Sequence, residues 1–210
     1  CSLRSHPDNL YLVQWRKHLE NIFSYTSYAS DCGFKGIINT SWSTSGTYGY
    51  IYDDRNEVID IQPVREVYPQ NGFDMLMTAY SNALSDNPFT PDEFLEDYCR
   101  GRLGLGSQEE TAAVKDYFNM SQNPVYSFQG DIARVDEELR KCTAVKERLD
   151  RVRFSKDAAD VARHLRMMLD IRINYLKFKR IDLQIESKGF SADDSKVVLA
   201  QLEAIDKECG

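Results

Sequence analysis

The 210-residue sequence predicts a mainly α fold in which one helix–strand–helix unit precedes an all-helical C-terminal domain. Three observations predict it. From Ile132 onward the apolar positions recur at steps of three and four with only two short connections, which is the pattern of amphipathic helices in a bundle. Two capping boxes, Thr90–Glu93 and Ser107–Glu110, mark helix starts in the middle of the chain. Only one run, Phe34 to Trp42, reads as a strand: short, apolar and ending in a polar, aromatic stretch.

Taken in order, Pro7 to about Ser30 is expected to be a helix with Leu12, Trp15, Leu19, Ile22 and Phe23 on one side, stopped at Asp31-Cys32-Gly33. The strand Phe34–Trp42 follows, then the loop Ser43-Thr44-Ser45-Gly46-Thr47-Tyr48-Gly49-Tyr50. Pro63 starts a short helical turn and Pro69 breaks it. Gly72 to Leu84 is expected to be a helix with Phe73, Leu76, Met77, Tyr80 and Leu84 inward. One buried strand cannot satisfy its own hydrogen-bond ladder. Partner strands therefore come from an upstream part of the same protein or from another chain.

Thr90-Pro91-Asp92-Glu93, with Pro at the first helical position, opens a helix toward Arg102, and Ser107-Gln108-Glu109-Glu110 opens another toward Asn119. Between them Gly101, Gly104 and Gly106 follow no strand, so they read as a helix-to-helix turn and not a phosphate loop. The stripe Val135, Leu139, Cys142, Val145, Leu149, Val152 makes a helix of about six turns. Ser155 caps a second long helix carrying Val161, Leu165, Met168, Leu169 and Leu176, which closes at Gly189. Ser191 opens a third, with Val198, Leu202 and Ile205 as its stripe. The expected organisation is 1–90 as an α/β remnant, 91–124 as a helical connector and 125–210 as a three-helix bundle. Arg163, Arg166, Arg172, Lys177, Lys179 and Arg180 are interleaved with acids and read as a solvated outer face.

Composition excludes several classes. Twenty-six basic against 33 acidic side chains give a net charge of -7, which argues against a nucleic-acid partner because that affinity comes from phosphate neutralisation. Apolar runs are short, as in Val197–Ala200, and no transmembrane segment is expected. The five cysteines are scattered without a C-x-x-C pair, so neither a metal site nor a disulfide framework is indicated. No cofactor motif stands in the chain. Cys1 suits either the acylated first residue of a mature bacterial lipoprotein or the start of a fragment, which leaves the cytoplasm and the periplasm or cell envelope both open.

Recognition chemistry belongs before Pro124, where 18 of the 24 aromatic residues lie, because aromatic rings with polar tips stack on sugars. Trp42 closes the strand and opens the Ser/Thr/Gly/Tyr loop, so it either contacts substrate or caps the core. Asn39 and Ser41 alternate with Thr40 and Trp42 along the strand. Asp53, Asp54, Glu57 and Asp60 follow the loop but end no strand, and they read as turn and surface acids. His6, His18 and His164 join no Ser-His-Asp set. The residues supply no self-sufficient catalytic constellation.

The stretch Gly36-Ile37-Ile38-Asn39-Thr40-Ser41-Trp42-Ser43-Thr44, with Cys32-Gly33-Phe34-Lys35 before it, resembles the last barrel strand of family 20 glycoside hydrolases, the β-N-acetylhexosaminidases. Asp60-Ile61-Gln62-Pro63-Val64-Arg65 and the helix carrying Tyr80 continue the likeness. It covers residues 8–90 in detail and the helical remainder by architecture. The resemblance implies the last βα portion of a (β/α)8 barrel, followed by the helical domain with its three-helix bundle. It also implies removal of terminal N-acetylhexosamine from glycans by substrate-assisted catalysis, with an Asp-Glu pair lying upstream of residue 1. By the same resemblance Trp42 walls the sugar pocket, with Asn39 and Thr44 as substrate-binding neighbours. Thr44 stands where many members carry an acid. The alternative reading is a non-catalytic helical scaffold or protein-interaction module.

Overall fold

The computed structural model describes residues 15–38, 74–120, 131–189 and 191–209, and among them every regular element is helical. In chain order these are α1 (Trp15–Asp31), α2 (Asp74–Ala83), α3 (Pro91–Asp97) running into a π-helical turn (Tyr98–Arg102), α4 (Gln108–Asn119), α5 (Ile132–Leu149), α6 (Ala159–Lys188) and α7 (Ala192–Cys209). A 3-10 turn, Lys156–Ala158, leads into α6.

Each helix buries the stripe that its spacing dictates. On α1 Trp15, Leu19, Ile22, Thr26 and Ala29 are buried, at alternating steps of four and three. Both capping boxes form with both arms. The Thr90 and Ser107 hydroxyls accept from the Glu93 and Glu110 amides, and those carboxylates accept from the two cap amides in return. On α5 Asp131 caps the first turn by accepting from the Arg134 amide. Val135, Cys142 and Leu149 are buried there, with Leu139 and Val145 partly so. The helix stops at Leu149, a turn earlier than expected; Val152 lies beyond it and still reaches the core.

One cluster of buried side chains runs from Trp15 through α2, α3, α4 and α5 to Leu183 on α6. Trp15, Phe94, Tyr98, Tyr117 and Phe118 form its aromatic centre, with Phe118 edge-on to Trp15 at 5.7 Å. Helix α5 lies against α6 along its length, and α4 packs on α5. Gly104 makes the turn between the π segment and α4 possible. Its φ is +68°, and a Cβ there would stand 2.6 Å from the Ser155 Cβ. The Ser155 amide donates to Leu103 O at 3.0 Å across the same contact.

Four expectations are corrected. Phe34–Ile38 is not a strand but irregular backbone, with Phe34 63% and Ile38 80% exposed; an extended run with no described neighbour to complete its ladder has nothing to pair with. The remainder of that run, Asn39–Trp42, lies outside the described residues. On α2 Leu76 is buried and Tyr80 packs on the core as expected, but Met75, Ala79 and Ala83 are buried with them, while Met77 and, past the helix end, Leu84 are half exposed, so the inward face is turned from the expected one. Ser155 caps the 3-10 turn without a side-chain bond, and α6 begins at Ala159. Arg172 is not on a solvated face: it is 1% exposed and paired with the buried Glu138 at 3.0 Å.

The last helix packs less deeply than the others. Helix α7 packs on α6, and Val198, Leu202 and Ile205 are its half-buried stripe, but none of its described side chains joins the buried cluster.

Candidate functional site

Trp42, Asn39 and Thr44 lie outside the described residues, as do Asp53, Asp54, Glu57, Asp60 and His6. The structure describes the two ends between which that stretch runs, and both are held by side chains of the helical body.

The first end leaves α1 through a tight cap. The Phe34 amide donates to Ala29 O and the Gly33 amide to Ser30 O, with Gly33 at φ +71°. This left-handed closure suits glycine because it has no Cβ to clash. The chain then runs out along Phe34–Ile38, and the Tyr80 hydroxyl donates to Ile37 O at 3.0 Å. A groove of about 990 Å3 opens here, lined on α1 by Glu20, Ser24, Ser27 and Asp31 and on the other side by Leu84 and Phe89.

The second end is Asp74, the first residue of α2. Its carboxylate accepts from the Tyr98 hydroxyl at 2.8 Å and from Arg102 Nη2 and Nε at 2.8 and 3.2 Å. Burial disfavours the Asp74 charge, but the Arg102 and Tyr98 hydrogen bonds outweigh it and hold the carboxyl below its ordinary range. The same burial, next to that carboxylate, pushes the Tyr98 phenol far up. The π-helical turn allows this clamp, since its i→i+5 bond, Leu103 amide to Tyr98 O, offsets Tyr98 and Arg102 from α-helical register.

Titratable groups elsewhere are arranged for structure. Glu110 is drawn down by the Arg153 amide and the Ser107 cap, Asp92 by Arg16 and Glu96 by Lys115. Carboxylates held ionised in this way are poor proton donors at neutral pH. Burial raises the Cys99 and Cys142 thiols to about 12 and about 11, which makes them inert. His164 is 5% exposed, and desolvation lowers its pKa. Among the described residues no group of three or more His, Cys, Asp or Glu side chains could hold a metal, and no helix is long and apolar enough to cross a membrane.

Two features escaped the sequence reading. The Asp74–Tyr98–Arg102 clamp joins residues that no periodicity links. The Glu138–Arg172 pair did carry a signal: each stands in the core register of its helix, Glu138 with Val135 and Cys142, Arg172 with Leu165, Leu169 and Leu176.

The chain matches no family model, no curated protein and no solved structure.

Proposed function

We propose that this chain is the C-terminal portion of a glycosidase that removes terminal N-acetylhexosamine from glycans, a β-N-acetylhexosaminidase in type. Its catalytic Asp-Glu pair is supplied by the upstream barrel, and no cofactor takes part. Trp42, with Asn39 and Thr44 beside it, contributes to the sugar pocket. The resemblance around Gly36–Thr44 suggests the activity, and one observation supports the architecture. The apolar arc of α2 is wider than the core uses. Met75, Leu76, Ala79 and Ala83 are buried in the helical core and Tyr80 packs against it, while Met77 and, just past the helix end, Leu84 are half exposed. Apolar residues left uncovered beside a core-facing stripe mark a contact surface. A barrel helix that carries strands on one side and an accessory domain on the other has this character.

The test compares the natural reading frame that contains this chain with the 210 residues alone, using a chromogenic N-acetylglucosaminide. The full protein turns the substrate over, and the isolated chain does not, because leaving-group protonation needs the upstream acid. Turnover by the isolated chain, or none by the full protein on N-acetylhexosaminides, would reject the reading.

A further inference from the structure

Helix α7 is amphipathic in an unusual way: it carries three adjacent stripes and buries only the middle one. Val198, Leu202 and Ile205 face α6 and are half buried. On one flank stand Val197, Gln201 and Ala204, with Val197 59% exposed; on the other stand Leu199, Glu203 and Asp206, with Leu199 57% exposed. The first flank borders a groove of about 640 Å3 whose floor is Leu139, Ile181 and Ile205. Arg140 and Arg180 stand along its rim with Asp136, which Arg180 engages at 2.6 Å. The groove is therefore apolar below and cationic at its rim, while the far flank of α7 is apolar at Leu199 and anionic at Glu203 and Asp206.

Groove and flank are complementary, and they lie on opposite sides of one helix, so a single copy cannot satisfy both. We propose that this face is a two-fold interface between two copies of the chain, with α7 of each copy seated in the groove of the other. The helices then lie in the order α5, second-copy α7, α7, second-copy α5. The Val197 stripes meet at the axis, and Glu203 and Asp206 face Arg140 of the second copy. Such an arrangement covers the exposed Val197 and Leu199 of α7, is self-complementary as a two-fold contact requires, and pairs opposite charges at its rim. It involves other helices than the proposed glycosidase site and does not depend on that reading.

Sedimentation equilibrium of the 210-residue chain, under reducing conditions and from micromolar to near-millimolar concentration, tests it. A reversible monomer–dimer equilibrium is expected. Val197→Glu and Arg140→Glu should each weaken it by at least about tenfold without loss of far-UV helicity, and Glu203→Arg should restore it in the Arg140→Glu background. A chain that stays at its 24.2 kDa monomer mass throughout, or a dimer that both single variants leave intact, overturns the proposal.

Discussion

Arg172 and Glu138 show what single residues decide here. Both are withdrawn from water, at 1% and 2% side-chain exposure, and each charge offsets the burial of the other. Removing one takes from the other its opposite charge at 3.0 Å. Arg172→Met should therefore cost about 3–5 kcal/mol, while the Glu138→Leu/Arg172→Met double variant should return to near the parent's stability or above it. Urea unfolding of the three proteins checks this; a double variant no better than Arg172→Met would mean that the pair itself, and not its desolvation, holds α5 to α6. His164 makes the second residue-scale case. Burial lowers the pKa of its imidazole in the folded state, whereas the unfolded chain takes up a proton near pH 6.5. The unfolded state thus binds more protons below that pH, and stability falls as the pH drops through it. Between about pH 7.5 and about pH 5.5 the urea midpoint should fall, and His164→Leu should flatten the fall. Equal slopes in both proteins would assign the loss to other groups.

At the scale of elements, the helix starts are set locally and the junctions are not. Thr90 with Glu93, and Ser107 with Glu110, lie three residues apart, so each cap closes within its own segment. The turn at Gly104 depends instead on Ser155, fifty-one positions away, whose Cβ fills the space where a side chain would go. Gly104→Ala combines left-handed strain with overlap and should cost about 2–4 kcal/mol by thermal or urea unfolding. Adding Ser155→Gly removes the overlap and should recover part of the loss, leaving the strain of the positive φ. Full recovery would show that the backbone there relaxes freely. Ion pairs across α5 and α6 follow the same long-range logic: Lys146 meets Asp170, Glu138 meets Arg172 and Asp136 meets Arg180, so partner numbers rise as α5 numbers fall. That is the register of two antiparallel helices.

For the whole molecule, the two tryptophans stand for packing and, in the proposed reading, for recognition. Trp15 sits in the aromatic centre of the core at 2% exposure. Trp42 is the residue proposed to wall the sugar pocket. In the full protein Trp42→Ala should lower kcat/KM by roughly tenfold to a thousandfold, about 1.4–4 kcal/mol, with little change in melting temperature, and Trp42→Phe should lose less. Near-normal kcat/KM in a clearly destabilised Ala variant would return Trp42 to the core, where truncation costs about 3–5 kcal/mol.

Helical character, most of the helix starts and the buried stripes of α1, α5 and α6 were legible in the sequence, because periodicity and capping act over a few residues. So was the glycine turn before α4. Only the tertiary structure decided which part of its wide apolar arc α2 turns inward. It also decided that Arg172 is buried, that Asp74 meets Tyr98 and Arg102, and that α7 stays at the edge of the core. Each of these depends on what packs against a helix from a distant part of the chain. A helix with a wide apolar arc has no local free-energy difference from which its orientation could be read, and a charge in the core register says nothing by itself of a partner thirty-four positions away.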